Sequence, residues 1–360
     1  ASKKRKRYIQ MNKDKTYNIV MAGGGTGGHY YPALAFVNEL SKKYQTRIIY
    51  FATKGRIEEK YLPVDIPWAK VFTVELTGLK RPVYSFENFS VIKKMYSEKS
   101  RIKKIIKDFS PDFGFLTGGY ISAPVGLNLR DLKVPFFLHE QNSIICFTNR
   151  RLSKYAQKVF VSFQETVLSE KFLLTGNPVR LPKNSISREY LCTMGIKDTG
   201  KRTVLVFGGS LSSEKIDELM LKVYPLDTQT NFIHVTRQPD LFEQFKNVFT
   251  REYIPDIYNL LAICDGVICR AGATSIAEIK YFGLKALLVP WRGAAEDHQF
   301  RNALSLEKLG LADIIAEDEK DISKITGIIQ RMPNKGSSFV WNVHEDTSAK
   351  KIIDNIEQLI

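Results

Sequence analysis

The chain has 360 residues, of which 44% are hydrophobic and 25% charged, enough for two average domains and unlike a wholly disordered protein. Its four cysteines, Cys146, Cys192, Cys264 and Cys269, lack the spacing of a zinc site and the density of a disulfide scaffold, which suits a reducing compartment. No apolar run approaches the roughly 20 residues of a membrane-spanning helix, and no signal-peptide core follows the basic start. We therefore expect a soluble, intracellular protein.

The net charge of +15 is concentrated in the first half of the chain. Residues 1–15 contribute +6, residues 16–180 contribute +11 and residues 181–360 contribute −2. This asymmetry suggests that the first half faces an anionic partner: a membrane, a nucleic acid or a phosphorylated substrate. We interpret residues 1–15 as a basic leader, predicted to be disordered, and infer no nucleic-acid binding from it.

The first half reads as strands alternating with helices. An apolar run at 17–22 ends in a segment with five glycines, 23–28, and helical spacing follows. The alternation predicts a parallel, doubly wound sheet. Further strands are predicted at 47–51, 71–74, 113–116, 135–138 and 158–161, with a long helix from about Val91.

The pattern then restarts in the second half. The strand predicted at 203–207 runs into Gly208-Gly209-Ser210, and a helix follows from about Ser213. Two prolines without periodicity mark a linker at 176–182, and residues 348–360 carry a helical apolar stripe. The sequence predicts an α/β protein of two Rossmann-like domains facing each other across a cleft, with both glycine turns opening into it. Further strands are predicted at 231–235, 266–269 and 286–289.

The first glycine turn has the spacing Gly23-x-Gly25-x-x-Gly28, which lets backbone amides approach a phosphate at a helix N-terminus. An NAD-binding turn would need an acidic residue about 20 positions later, and Tyr50 to Lys54 supplies none. NAD binding and a purely structural turn remain alternatives to another diphosphate-facing loop. His29 follows directly, either as a structural histidine or as a general base, because a neutral imidazole can accept a proton at pH 7.

Polar side chains follow strand ends in both halves. In 269–275 small residues lead to Thr274 and Ser275 at a helix start, a second place for an anion, and Glu278 either caps that helix or accepts hydrogen bonds from a diol such as ribose. The polar groups at 139–142 and 298–302 are binding loops or solvated loops. No Asp-x-Asp or His-Glu-x-x-His spacing occurs, which disfavours chemistry at a protein-bound metal.

The segment from Leu76 to Phe109 combines aromatic and basic residues. It is either a sheet-packing helix with a solvated basic face or a membrane-surface patch whose lysines attract lipid head groups. In the second interpretation the membrane contacts are Leu79, Lys80, Arg81, Val83, Tyr84 and Phe86.

Seven short segments, taken together and in this order, resemble the MurG family of bacterial cell-wall glycosyltransferases. They run from about residue 18 to residue 315. The segments are 24–29, 117–120, 139–142, 176–180, 208–210, 270–273 and 298–303. After 208–210 that family usually continues Gln-Gly-Ala, whereas this chain has Leu211-Ser212-Ser213, where Ser213 suits a helix cap.

The resemblance implies a GT-B fold with a first domain at 16–178 that binds a lipid acceptor and a second at 179–345 that binds the sugar nucleotide. The final helix, 346–360, would pack back onto the first domain. The implied reaction is inverting transfer of N-acetylglucosamine from UDP-N-acetylglucosamine to the 4-hydroxyl of the muramyl sugar of undecaprenyl-pyrophosphoryl-MurNAc-pentapeptide, lipid I to lipid II, in peptidoglycan synthesis. The implied location is the cytoplasmic face of the bacterial plasma membrane, as a peripheral protein with no tightly bound cofactor, no metal and no nucleic acid.

The resemblance also implies roles for single residues. His29 would be the base. The donor would be bound by Asn142, Arg180, Ser210, Ile254, Ala273, Thr274, Ser275, Glu278 and Gln299. The acceptor would be bound by Thr26, Gly27, Gly28, Gly118, Gly119, Tyr120, His139 and Glu140.

Three other functions remain open at this point. Two are enzymatic: a UDP-sugar transferase with another glycolipid acceptor, and a UDP-sugar epimerase of the same fold. The third is a non-catalytic binder of nucleic acid or anionic lipid that uses the basic half, although paired polar clusters in both halves argue against it.

Overall fold

The computed structural model describes residues 11–75, 88–209, 212–293, 297–342 and 345–360, with the side chains of 88–96 excepted. The chain divides into two compact units, one running to Pro178 and including Thr347–Ile360, the other Val179–Asp346. Each unit has its own parallel sheet with helices, so the predicted α/β class is confirmed.

The first unit is built around a seven-stranded parallel sheet in the order β3-β2-β1-β4-β5-β6-β7. Its strands are β1 Tyr17–Gly23, β2 Thr46–Thr53, β3 Lys70–Val74, β4 Phe113–Gly118, β5 Phe136–Glu140, β6 Lys158–Val161 and β7 Phe172–Leu174. Its helices up to the linker are α1 Gly27–Lys43, α2 Ile57–Asp65, α3 Asn88–Phe109, α4 Ser122–Asp131 and α5 Phe147–Leu152.

Both faces of this sheet are covered. Ile19 and Met21 of β1 lie in one buried cluster, and Val20 and Ala22 lie in another on the opposite face. A strand buried on both faces reads as a continuous apolar run instead of an alternating one, which is why 17–22 is apolar throughout.

The second unit repeats the plan with a six-stranded parallel sheet in the order β11-β10-β9-β12-β13-β14 and a short antiparallel pair, β15-β8. Its strands are β8 Ile186–Ser187, β9 Thr203–Phe207, β10 Asn231–Val235, β11 Val248–Arg251, β12 Gly266–Cys269, β13 Lys285–Leu288, β14 Ala312–Ile314 and β15 Val340–Trp341. Its helices are α6 Tyr190–Thr193, α7 Glu214–Val223, α8 Ile257–Ile263, α9 Ala273–Phe282, α10 His298–Glu307 and α11 Ile322–Gln330.

The strand order reverses at the same place in each sheet. In the first unit β1 lies between β2 and β4, and in the second unit β9 lies between β10 and β12. Ligands of open α/β sheets bind beyond the carboxyl ends of the strands at this reversal. The fold therefore directs attention to the loops after β1 and β4, and after β9 and β12.

The end of the predicted leader belongs to the first unit. Met11 is buried in the core beside Tyr17, the Asn12 N–H donates to the Tyr17 hydroxyl over 2.6 Å, and Lys15 pairs with Asp112. The expectation of a disordered leader over 1–15 therefore does not hold for 11–15, and residues 1–10 lie outside the described residues. A core methionine followed by polar residues carries no periodic signal that separates it from a tail.

The final helix, α12 Thr347–Glu357, belongs to the first unit and packs against α1. Ile352, Ile353 and Ile356 are buried in the same cluster as Ile19, and Lys43 forms an ion pair with Glu357 over 2.5 Å. The apolar stripe predicted at 348–360 is thus the face that completes this core.

Replacing Ile352 with Ala should lower the free energy of unfolding of the first unit by about 2 to 5 kcal/mol, because a fully buried side chain is removed and a cavity is left. Urea denaturation followed by tryptophan fluorescence would measure the change. The exposed neighbour Lys351 provides the control, since Lys351→Ala should change stability by no more than about 0.5 kcal/mol. Equal effects of the two substitutions would contradict the docking of α12.

Candidate functional site

The first glycine turn is held by a buried carboxylate beneath it. The Gly25 N–H lies 3.0 and 3.1 Å from the two carboxylate oxygens of Glu58, and the Thr53 N–H donates to the same side chain over 3.0 Å. A Cβ at Gly24 would lie 2.0 Å from that carboxylate, and Gly25 has a φ of +90°. Both glycines are therefore required by the backbone path.

The turn leads into the N-terminus of α1. Thr26 is the N-cap residue with extended backbone, its side chain makes no capping hydrogen bond, and the first helical turn, which starts Gly27-Gly28, has no acidic residue. A helix N-terminus carries roughly half a positive charge; the first turn of α1 has no acidic side chain, and the carboxylate of Glu58 is bound one step earlier, at the Gly25 N–H. The three acceptor-binding residues predicted at 26–28 thus occupy a site suited to an anion.

A second glycine loop lies against the first. Gly118 and Gly119, at the end of β4, have φ values of +104° and +78°, and a Cβ at Gly119 would lie 2.5 Å from the Gly24 carbonyl oxygen. Tyr120 follows with 67% of its surface exposed. The structure therefore brings the predicted acceptor residues of both loops together, with an exposed phenol beside them.

His29 lies where these loops meet. Its Nδ1 is 2.9 Å from the Thr117 carbonyl oxygen and 2.9 Å from the Gln141 side-chain oxygen, and the ring is half-buried. Both neighbours can only accept, so Nδ1 carries the proton and the lone pair of the neutral ring is on Nε2. His29 is thus an imidazole with an available basic nitrogen, as a general base requires.

The burial of His139 and Glu140 does not fit the prediction that they bind an acceptor directly. Both side chains are fully buried at the end of β5. Glu140 accepts hydrogen bonds from the Cys146 N–H and the Asn149 amide, each over 2.9 Å, and so organises the loop that follows. Burial lowers the pKa of His139 to about 4, which keeps its ring neutral. These residues shape the site from within.

Asn142 was expected among the donor-binding residues. It belongs to the first unit, and its N–H donates to Glu140 over 3.1 Å. The other predicted donor-binding residues within the described ranges all lie in the second unit.

In the second unit, Glu278 lies at the centre of the predicted donor site. It is on α9, whose N-terminal residues are Ala273, Thr274 and Ser275. Its side chain is buried, and Oε1 has no hydrogen-bond partner among the described residues. Burial raises the pKa of Glu278 to about 7, opposed by the positive charge of Arg180. The alternative of a capping role does not fit, because α9 begins at Ala273 with Gly272 as its N-cap, so Glu278 lies beyond the first turn.

Arg180 connects the linker to the loop after β11. Its guanidinium donates from Nη1 to the Pro255 carbonyl oxygen over 3.1 Å and lies 5.1 Å from the ring centre of Tyr258. Pro255 directly follows Ile254, whose side chain is buried. Arg180 therefore contacts the residue after Ile254, and its charge acts on Glu278, although the three are far apart in sequence.

The start of α10 contributes Gln299. The Trp291 N–H donates to its side-chain oxygen over 3.0 Å, so its amide NH₂ is oriented to donate elsewhere. The buried Asn302 donates to the Ala271 carbonyl oxygen over 3.2 Å, which attaches α10 to the segment before α9. The polar group predicted at 298–302 is thus joined through Asn302 to the segment that leads into α9, the helix of Glu278.

The second glycine turn is described only in part. Ser213 is the N-cap of α7 and accepts from the Ile216 N–H over 3.4 Å, which confirms the predicted cap. Ser212, where the resemblance expects glycine, has a φ of +61°. The predicted donor residue Ser210 and the proposed membrane contacts Leu79, Lys80, Arg81, Val83, Tyr84 and Phe86 lie outside the described residues.

Two further features concern metals and membranes. Within 11–75, 88–209, 212–293, 297–342 and 345–360, no three His, Cys, Asp or Glu side chains are grouped so that they could hold a metal ion. Across the same ranges, no helix combines the length and the apolar character needed to cross a bilayer.

Sequence reasoning missed two residues of the first site, Glu58 and Gln141. Glu58 lies in the first turn of α2, in no motif, and only its tertiary contact with Gly25 shows its role. Gln141 was recognised as part of 139–142 but given no role of its own. In the folded unit Gln141 lies between His139 and His29. The sequence gave no indication of this contact, because Gln141 and His29 are 112 residues apart.

Comparison with known protein families matches both units. The glycosyltransferase family 28 N-terminal domain matches residues 19–161, and the glycosyltransferase family 28 C-terminal domain matches residues 203–358.

Individual proteins are similar over most of their length. A protein of Thermotoga maritima named UDP-N-acetylglucosamine–N-acetylmuramyl-(pentapeptide) pyrophosphoryl-undecaprenol N-acetylglucosamine transferase is 40% identical over 326 residues, 88% of this chain and 93% of its own. The crystal structure of Acinetobacter baumannii MurG has a TM-score of 0.68 and 22% identity over 95% of this chain and 99% of that chain. A putative UDP-N-acetylglucosamine 2-epimerase of Listeria monocytogenes has a TM-score of 0.66 and 12% identity, covering 96% and 97%. At these identities the two structures show the fold alone, which is the predicted GT-B fold.

Replacing Glu278 with Gln should stabilise the unliganded protein at pH 8 by up to about 3 kcal/mol, the equivalent of a pKa raised from 4.5 to about 7. The folded state keeps this proton to a higher pH than the unfolded chain. The free energy of unfolding of the wild type therefore falls as pH rises from about 4.5 through about 7, and Gln escapes this loss.

Urea denaturation at pH 5 and pH 8 would measure the difference. The control is Glu307→Gln, the same change at an exposed carboxyl on α10. A stability difference between wild type and Glu278→Gln that does not grow with pH would contradict the buried, proton-bearing carboxyl.

Proposed function

The chain belongs to glycosyltransferase family 28, and from this premise we propose that it transfers N-acetylglucosamine from UDP-N-acetylglucosamine to the 4-hydroxyl of the muramyl sugar of undecaprenyl-pyrophosphoryl-MurNAc-pentapeptide, with inversion. The observation that carries the choice of substrates is the 40% identity, over most of both chains, to the Thermotoga maritima transferase of that name. The reaction converts lipid I to lipid II in peptidoglycan synthesis, and so serves cell shape and cell division.

We assign the donor to the second unit. The carboxylate of Glu278 accepts hydrogen bonds from the ribose hydroxyls, which gives its buried, unpartnered Oε1 a partner. The backbone at Ile254 binds the uracil edge. The NH₂ of Gln299, oriented by the Trp291 N–H, donates to a sugar hydroxyl. The Ala273 backbone is a further sugar contact of this unit, and Ser210 is assigned to the diphosphate. Asn142, also predicted to contact the donor sugar, belongs to the first unit.

Positive charge at the diphosphate assists the departure of UDP. As the bond between the anomeric carbon and the phosphate oxygen breaks, the electron pair leaves with UDP. The N-terminus of α9 with Thr274 and Ser275, together with the Arg180 guanidinium, stabilises that developing charge. Preorganised donors of this kind lower such a barrier by several kcal/mol, about 2.7–4 for one oxyanion contact. Protein groups thus supply this charge, and we assign no metal or tightly bound cofactor to the step.

We assign the acceptor to the first unit. Nε2 of His29 takes the proton of the muramyl 4-hydroxyl as its oxygen forms the bond to the anomeric carbon, which inverts the configuration. The N-terminus of α1 at 26–28 binds the acceptor pyrophosphate, beside Gly118, Gly119 and Tyr120. His139 and Glu140 are buried below these residues and hold the neighbouring loop in place.

The basic first half suits a peripheral location at the cytoplasmic face of the plasma membrane. The described part of α3 carries Lys103, Lys104 and Arg101, which are exposed. Anionic lipids attract such residues by about 1 kcal/mol each. With the segment at 79–86 in the same half of the chain, the acceptor-binding unit is the one that faces the lipid, and nucleic acid has no part in the function.

The purified protein, given UDP-N-acetylglucosamine and a short-chain lipid I analogue without added divalent ion, should form the disaccharide lipid and UDP. UDP-glucose should be a much poorer donor. Mass spectrometry of the lipid product and an assay of released UDP measure both. Conversion of the sugar nucleotide without acceptor would support an epimerase, and lipid binding without any donor requirement would support a non-catalytic binder; either would contradict the proposal.

The same assay tests the base. His29→Ala should lower kcat by about 10²- to 10⁴-fold, the usual contribution of a general base, and leave the Kd of UDP within about twofold, because the donor is assigned to the other unit. Isothermal titration with UDP provides that control. An unchanged kcat would remove His29 from this role.

Binding to lipid vesicles tests the location. The wild type should bind vesicles rich in phosphatidylglycerol, and Lys80→Glu/Arg81→Glu should bind them at least about tenfold more weakly at low salt, given roughly 1 kcal/mol per basic residue. The matched control is Lys308→Glu/Lys320→Glu, a double reversal at exposed lysines of the second unit. Equal losses in both variants, or equal wild-type binding to neutral vesicles, would contradict a specific membrane-facing segment.

A further inference from the structure

A chain of hydrogen bonds runs through the first unit from the start of the linker to His29. Nε2 of His139 lies 3.1 Å from the Gly176 carbonyl oxygen, and Nδ1 of His139 lies 3.0 Å from the Gln141 side-chain nitrogen. The Gln141 side-chain oxygen lies 2.9 Å from Nδ1 of His29. Three side chains thus join Gly176 to the proposed base.

The orientation of the Gln141 amide is determined by its surroundings. The amide nitrogen also lies 3.1 Å from the His139 carbonyl oxygen, which can only accept a hydrogen bond. The atom facing that carbonyl must therefore be the NH₂ group, and the oxygen must face His29. Gln141 is fully buried, so water does not compete for these contacts.

The protons on both histidines follow from this orientation. Since Gln141 donates to Nδ1 of His139, that ring keeps its proton on Nε2 and donates it to the Gly176 carbonyl. Since Gln141 accepts at Nδ1 of His29, as the Thr117 carbonyl does, the His29 proton is on Nδ1. The lone pair of the neutral His29 ring is then on Nε2.

We propose that Gln141 is a positioning residue that holds His29 in the Nδ1–H form. His139 and the Gly176 carbonyl determine the donor-to-acceptor direction of this chain of hydrogen bonds, which we call the relay. The proposal rests on the proposed function, because it assigns a purpose to the tautomer of the base. It explains why a fully buried glutamine lies between two histidines at the end of β5. During transfer Nε2 gains the acceptor's proton and Nδ1 keeps its own, so Gln141 and Thr117 go on accepting from the imidazolium.

The linker starts with a conformation that glycine adopts readily. Gly176 has a φ of +85°, and a Cβ there would lie 2.6 Å from the Ser348 hydroxyl at the start of α12. This places the Gly176 carbonyl in contact with His139 at the point where both connections between the units leave the first unit.

The first measurement is independent of any substrate. Protein labelled with ¹⁵N-histidine should show Nδ1–H and unprotonated Nε2 for His29 in a long-range ¹H–¹⁵N spectrum, with the signal assigned by its loss in His29→Gln. A wild-type His29 in the Nε2–H form would overturn the proposal, whatever the activity.

The second measurement uses Gln141→Met, which keeps the side-chain volume and removes the amide. Its kcat should fall about 10- to 100-fold, with the KM for UDP-N-acetylglucosamine within about twofold, and the Nε2–H form of His29 should become detectable. The loss stays at this lower end because Thr117 still accepts. Gln157→Met, the same change at an exposed position, should alter none of these values.

Unchanged kcat and tautomer in a folded Gln141→Met would overturn the inference while leaving the proposed function intact. If instead the wild type transfers no sugar to the lipid, the proposed function fails, and the spectrum of His29 still tests the tautomer. If Gln141→Met does not fold, an Nε2–H signal in the wild-type spectrum would still overturn the proposal, and Gln141→Leu replaces Gln141→Met for the rest of the test.

Discussion

Buried carboxylates that bind backbone N–H groups hold the loops of the first unit in place. A buried donor or acceptor without a partner costs roughly 1–3 kcal/mol, so the loops after parallel strands must find partners for their amides. Glu58 meets this requirement for Thr53 and Gly25, and Glu140 meets it for Cys146. These hydrogen bonds hold the glycine turn and the loop after β5, and the geometry around His29 depends on both.

The second unit uses the same type of residue in the opposite way. Glu278 is as buried as Glu58, but its Oε1 has no partner among the described residues. Burial raises its pKa to about 7, opposed by the positive charge of Arg180. Glu58 is satisfied by its own chain, whereas Oε1 of Glu278 has no such partner in the described part of the chain, which suits the ribose contact we propose. Whether a buried carboxylate has hydrogen-bond partners in its own chain thus separates a structural residue from a candidate binding residue more clearly than a sequence motif or solvent exposure does.

The central strands of the two sheets could be predicted from the sequence, whereas most of the edge strands could not. Strands buried on both faces, such as 203–207 and 266–269, coincide with β9 and β12, because continuous apolar runs between glycines have no other reasonable fold. The short edge strands β7, β11 and β14 were not predicted, since three or four partly exposed residues carry no periodicity. The site was predictable where a motif names residues, as at 26–29 and 273–278. The burial of His139 and the orientation of Gln141 depend on contacts from distant segments, which no local pattern encodes.

The return of α12 to the first unit has a consequence for how the protein is made. A ribosome delivers residues in order, so the whole second unit emerges before Ile352 and Ile356 can reach the core that contains Ile19. During that interval the nascent first unit exposes the apolar surface of α1 that α12 later covers, and such surfaces promote aggregation. The core of the first unit is therefore completed only when translation ends, and not when its own sheet assembles. A message truncated before α12 would release a protein in which the first unit lacks part of its core.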